Sequence, residues 1–150
     1  MIRRLSHTQL EMAQEIYRVF QVSYAVEAEL LGAVDNFPPL QRKPSDFLTS
    51  DTDFFGYFED NVLAAVMEIR THPSSTHIQS LVVDPAYFRR GIGKQLVTFV
   101  FDRYTTEMFH VETGTDNGPA RALYVSMGFE LIKEWKTKIG IRKVRFEKRA

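Results

Sequence analysis

Apolar positions along the chain follow one period at first and another later. Leu10, Ala13, Ile16, Tyr17 and Phe20 recur at helical spacing. Ser6 followed by Gln9 has the pattern of a capping box, and Leu5 and Leu10 are spaced for a hydrophobic staple, so a helix is predicted to start at Ser6. A second helix is expected over about Ser23 to Ala33, ending near Gly32. The paired prolines of Phe37-Pro38-Pro39-Leu40 then read as an irregular loop.

From Asp53 onward the pattern becomes that of strands. Phe54 to Phe58 and Val62 to Ile69 flank Glu59-Asp60-Asn61, whose composition is that of a hairpin turn. His77 to Val83 forms a third extended run closed by Asp84-Pro85. After Gly91 the helical period returns with Ile92, Leu96, Phe99, Val100 and Arg103. Met108 to Thr113 reads as a strand, and Asn117 caps a helix with Pro119 in its first turn and Gly128 at its end. Phe129 to Lys138 and Ile141 to Glu147 complete a closing hairpin through Gly140. This order predicts an α/β chain with a mixed sheet, antiparallel at first, with one parallel crossover near its centre.

Composition narrows the class. The 150 residues are 44% hydrophobic and 25% charged, and 19 basic side chains balance 19 acidic ones. One domain over residues 1–150 is expected, with no repeat or linker dividing it. Zero net charge argues against a dedicated nucleic-acid or membrane-surface binder. The chain has no cysteine, hence no disulfide, zinc–thiolate site or thiol nucleophile. Met1-Ile2-Arg3-Arg4-Leu5 lacks the apolar stretch of a signal peptide, and no apolar run approaches the roughly 18 residues of a membrane span. A cytoplasmic protein is the expectation, with a homodimer left open.

The strand-to-helix turn at Arg89-Arg90-Gly91-Ile92-Gly93-Lys94 carries the first chemical signal. Free amides of a first helical turn and the helix dipole make an anion site, and glycines let a phosphate approach the backbone. A P-loop does not fit, because Lys94 is followed by Gln95 and the first glycine is missing. The dinucleotide fingerprint fails at Leu96. An ordinary turn whose glycines only relieve crowding is the plainer alternative.

Val82 through Leu96 resembles the acetyl-CoA-binding motif of the GNAT N-acetyltransferase superfamily. In that motif a strand ending in V-x-P leads into Gln or Arg, two residues, Gly, one residue, and Gly or Ala. Phe88 stands where the family has Gln or Arg. Further on, Asn117, Ala120, Leu123, Tyr124, Gly128 and Phe129 match the family's N-x-x-A-x-x-L-Y-x-x-x-G-F signature at every fixed position. The resemblance covers nearly the whole chain. It implies a mixed, mostly antiparallel sheet of six to seven strands flanked by about four helices, two of them N-terminal.

The resemblance also implies roles. Leu81, Val82 and Val83 would meet the pantetheine and thioester of acetyl-CoA, and Arg89, Arg90, Gly91, Ile92, Gly93 and Lys94 would hold the diphosphate. Asn117 would contact the donor while capping its helix. Tyr124 would protonate the departing thiolate, although a tyrosine on such a helix also serves as packing. A backbone N–H near Leu81 to Val83 would face the oxyanion.

The base stays open among Glu112, His77, Glu68 and water; Glu112 matches a catalytic glutamate in relatives that acetylate protein N-termini. The acceptor would meet Tyr24, Glu27, Glu29, Asp35, Phe37 and Pro38-Pro39, an acidic and aromatic rim suited to a cationic amine. The basic segment Lys133 to Arg149 reads as a solvated strand face, with some lysines near the CoA 3′-phosphate. His72, His77 and His110 lie on separate segments without metal-site spacing, so no metal is expected. The expected activity is acetyl transfer from acetyl-CoA to a primary amine of a small molecule. Acetylation of protein N-termini or lysines, a non-catalytic acyl-CoA-binding module, and nucleic-acid binding through the basic hairpin are the alternatives.

Overall fold

No glycine or proline interrupts Leu10 to Leu31, and the computed structural model, which describes residues 1–33, 35 and 37–150, shows one 22-residue helix there, α1. The expected division into two helices is therefore corrected. The helix also starts later than expected. Residues 6–9 form a turn in which the Gln9 N–H donates to the Ser6 carbonyl, and Gln9 is the N-cap without a side-chain cap. The proposed staple does not form, since Leu5 is buried while Leu10 is exposed. At the other end Gly32 adopts φ 66°, and the Ala33 N–H closes on the Ala28 carbonyl at 2.8 Å.

The proline loop is more ordered than expected. Pro38–Gln41 forms a 3-10 turn and Pro44–Leu48 a short helix, α2, which buries Phe47 completely. Seven strands follow the sequence pattern closely, apart from the short β1 (Ile2–Arg4), which three residues could not announce. The others are β2 (Asp53–Glu59), β3 (Val62–Thr71), β4 (Ser75–Val83), β5 (Met108–Gly114), β6 (Glu130–Lys136) and β7 (Arg142–Arg149). They form a single sheet in the order β1-β2-β3-β4-β5-β7-β6, in which only β4 and β5 run parallel. The β2–β3 turn carries Asp60 at φ 49° and Asn61 at φ 65°, the left-handed pair that a tight hairpin needs.

The crossover from β4 to β5 is α3 (Ile92–Arg103), and α4 (Gly118–Ser126) precedes β6. Alternation along the strands sends apolar side chains to both faces. Phe54, Val66 and Val82 pack with α1 and α2 through Ile16, Phe20 and Phe47. Phe55, Met67, Phe109, Val111 and Phe146 pack with α3 and α4 through Leu96, Val100 and Tyr124.

One interruption in the sheet positions everything that follows. β4 and β5 pair only from Ser75↔Met108 to Ile78↔Val111 and then diverge. The cause lies in β4, where Gln79 is an extra residue, because Ile78 faces Ile69 while Ser80 faces Glu68. Such a bulge bends a strand and increases its twist. Beyond it a wedge opens between the two central strands.

Candidate active site

On one side of the wedge lies a cavity of about 530 Å³ that brings together every residue the sequence assigned to the donor. Leu81, Val82 and Val83 form one wall, the Arg89-to-Lys94 turn another, and Asn117 and Tyr124 of the α4 region a third. The Asp84 N–H donates to Ala64 of β3, so alternation turns the N–H groups of Leu81 and Val83 toward the wedge. Val83 already donates to Ser23 Oγ at 3.2 Å, whereas Leu81 faces the open space.

The turn is built for close approach. Gly91 is the N-cap of α3 at φ 73°, and Arg89 before it is also left-handed at φ 64°. The next amides, of Ile92, Gly93 and Lys94, belong to the first helical turn and have no intrahelical acceptor. A Cβ on Gly93 would lie 3.1 Å from Leu123, so the glycine lets α3 and α4 meet. Arg90 is drawn outward by Glu59 at 2.8 Å. Phe88 sits exposed on the rim of this cavity.

A second cavity of about 600 Å³ lies across the wedge. Tyr24, Glu27, Phe37, Pro38 and Pro39 of the expected rim line it, together with Gln79, Ser80, Glu112 and Thr113, and the β6–β7 turn closes the far side. Glu29 and Asp35 are exposed and line neither cavity among the described residues. Glu27, Leu81, Asn117, Ala120 and Tyr124 border both spaces. The two cavities therefore meet at a phenol and a carboxylate.

Tyr124 is buried, its ring against Phe129 at 5.6 Å and Phe146 at 6.1 Å. Burial first, then the proximity of Tyr24 and Glu27, pushes its pKa well above the ordinary tyrosine value, so it remains a phenol. The proposed bases differ sharply. Glu68 is wholly buried and lines neither cavity; Arg42 holds it at 2.7 and 3.2 Å, Thr52 at 2.8 Å and Ser80 at 3.2 Å. It is a structural anchor.

His77 is half-buried, and it too lies outside both cavities. Its Nδ1 shares a hydrogen bond with His110 Nδ1 at 2.6 Å, and His72 stacks on His110. Spacing alone kept these histidines apart; the parallel register of β4 and β5 joins them. Glu112 does border the second cavity, but Oε2 faces Arg145 at 3.3 Å and Oε1 faces Lys143 at 3.8 Å.

Glu27 has the more central position. Asn117 Nδ2 donates to its Oε1 at 2.9 Å and Thr113 Oγ1 donates at 3.2 Å. Asn117 in turn accepts from the Ala120 N–H at 3.2 Å, so one asparagine caps α4 and ties it to α1. From its sequence context Glu27 is expected only at the acceptor rim. A sharper signal was available, because Phe20, Tyr24, Glu27 and Leu31 follow one helical stripe, and Glu27 is its acidic member.

Residues 13–129 match the Acetyltransferase (GNAT) family. The chain belongs to this family. It is 35% identical over 142 residues to UPF0157 protein YqkA of Bacillus subtilis, a match covering 94% of this chain and 41% of YqkA. It is 31% identical over 111 residues to N-alpha-acetyltransferase RimI of Mycobacterium tuberculosis, covering 71% of this chain and 70% of RimI. The fold agrees with that of PaiA N-acetyltransferase from Thermoplasma acidophilum in complex with coenzyme A, at a TM-score of 0.79 and 18% identity over 100% of this chain and 98% of that one.

The chain thus carries a GNAT acetyltransferase-family domain, with the seven-stranded mixed sheet and flanking helices expected for it. The cavity beside the Arg89-to-Lys94 turn has features that would suit a coenzyme A ester. It joins a strand edge that β5 leaves unpaired beyond Ile78 to an anion-accepting helix start, the two things that an amide-rich arm ending in a diphosphate requires. No helix among the described residues is long and apolar enough to cross a membrane.

Proposed function

We propose that this GNAT domain is an N-acetyltransferase that moves the acetyl group of acetyl-CoA to a primary amine of a small molecule, by direct attack within a ternary complex. The observation that carries this reading is the meeting of two separate cavities at Tyr124. Donor and acceptor can occupy them together, so no covalent acyl-enzyme is needed, and the chain has no cysteine to form a thioester.

In this reading Leu81 to Val83 and the turn from Arg89 to Lys94 hold the donor, with Asn117 beside them. The Leu81 N–H lies where it can donate to the carbonyl oxygen as negative charge develops. Tyr124, kept protonated by burial, gives its proton to the sulfur as the C–S bond breaks. Two carboxylates, Glu112 and Glu27, border the space where the amine must sit.

A small acceptor is supported by the cavity's boundaries, the Phe37–Pro39 segment on one side and the β6–β7 turn on the other. A second reading, acetylation of a protein N-terminus, is favoured by the 31% identity to RimI. Release of CoA thiol from acetyl-CoA, followed across small primary amines and peptides with free α-amines, discriminates between them. Small amines are expected to turn over with the higher kcat/KM. Tyr124→Phe should lower kcat by about 10²-fold or more while acetyl-CoA still binds. If no acceptor stimulates thiol release, transfer is not the activity.

A further inference from the structure

An amine of ordinary pKa near 10.4 is protonated at pH 7, and freeing it costs about 4 to 5 kcal/mol. Attack on the thioester therefore needs a group that removes a proton at the junction of the two cavities. Two acidic side chains border the acceptor cavity, and their surroundings are opposite in kind.

Glu112 stands on β5 facing β7, with one cation opposite each of its oxygens. Arg145 donates a hydrogen bond to its Oε2, and the Lys143 ammonium stands 3.8 Å from Oε1. A base there would have to break an ion pair before accepting a proton. Glu27 stands on α1 facing the wedge, and both its donors are neutral, the Asn117 amide and the Thr113 hydroxyl. Both bind Oε1, and Oε2 accepts no hydrogen bond among the described residues. Only Glu27 of the two also borders the donor cavity. It interacts electrostatically with the phenols of Tyr24 and Tyr124 as well.

We infer that Glu27, rather than Glu112, attracts the acceptor's ammonium group and takes its proton. The inference rests on the ternary-complex reading. Glu27 takes the ammonium proton and passes it to water, then takes a second proton from the nitrogen as that atom forms its bond to the acetyl carbon. The C–S bond then breaks with its electron pair going to sulfur, which Tyr124 protonates. The proton held by Glu27 returns to the Tyr124 phenolate, so the enzyme ends as it began and the products are the amide and free CoA thiol. Glu112 is left with a structural task, neutralising the two cations of β7.

Glu27→Gln tests this, because glutamine keeps an oxygen to accept from Asn117 and Thr113 while losing the basicity. Thiol release by Glu27→Gln, Glu112→Gln and the unaltered protein is compared from pH 6.5 to 9.5 with one amine, and acetyl-CoA affinity is measured beside it. Glu27→Gln should bind acetyl-CoA as before and lose about 10²- to 10³-fold in kcat/KM at pH 7. The deficit should shrink as pH rises, because the free amine then supplies itself, and Glu112→Gln should lose far less. A deficit independent of pH, or a larger loss for Glu112→Gln, would overturn the assignment. Turnover by the unaltered protein matched by Glu27→Gln would also overturn it while leaving the transferase reading intact, whereas absence of turnover in the unaltered protein strikes that reading itself.

Discussion

His110 illustrates how register turns an unremarkable residue into a sensitive one. On β5 it faces His77 of β4 and Glu147 of β7, while His72 stacks over it and Arg145 stands nearby. Burial is the chief effect, and the charges of His77, Arg145 and His72 act in the same direction against the pull of Glu147, so its pKa is pushed down to about 4 from 6.5. His77 moves down too, mainly by burial and despite Glu112. The sign follows from proton counting. Between pH 6.5 and about 4 the unfolded chain binds a proton at this position that the fold refuses. The contribution is complete above pH 6.5, is lost as pH falls through that window, and changes no further below it. Melting temperature followed from pH 7 to 4 should thus fall less steeply for His110→Gln than for the unaltered protein. Equal slopes would mean that the histidine cluster does not set the acid limit.

At the level of elements, the β4–α3 turn is the part whose sequence and geometry agree most directly. Gly91 lies at φ 73° with nothing within 4 Å of where a Cβ would stand, so an alanine there meets conformational cost and no clash. Gly91→Ala should destabilise by about 1 to 2 kcal/mol, lowering Tm by a few degrees, and should weaken acetyl-CoA binding as the turn relaxes. Unchanged affinity with lowered Tm would separate the turn's structural part from its part in holding the donor. This turn was legible because glycines and prolines act locally, as they do at Gly32 and Asn117-Gly118-Pro119. The strands from β2 to β7 were legible from alternation. The unbroken α1 was not, because Tyr24 and Glu27 put polar atoms into an apolar stripe and disguised its continuity. Likewise α2 is only five residues long and owes its place to Phe47 packing against Phe20 and Phe54, contacts that no local window contains.

On the scale of the whole molecule, the wedge between β4 and β5 is a missing piece of hydrogen-bonded sheet, and neither strand's sequence reveals it. It depends on one extra residue, Gln79, counted against a partner strand. The same geometry explains why the site residues come from four distant segments: α1, the end of β4 with its turn, the end of β5, and α4. Leu31 at the end of α1 fills the space a Cβ on Gly114 would occupy, so the helix carrying Glu27 is seated on the end of β5. A donor entering the wedge should complete the interrupted sheet and bind these segments to one another. At about 100 times its Kd it would add about 2.7 kcal/mol to stability. Amide hydrogen exchange reads where that stabilisation is felt. Protection should concentrate at Leu81 and at Ile92 to Lys94, whose N–H groups lack strand or helix partners. Val83 should change less, since Ser23 already accepts its N–H. The β6 edge, whose strand is exposed along most of its length, should be unaffected. Protection spread evenly over the sheet, or absent at Leu81, would mean that acetyl-CoA does not lie in the wedge, and the meeting of two cavities at Tyr124 would then lose its chemical meaning.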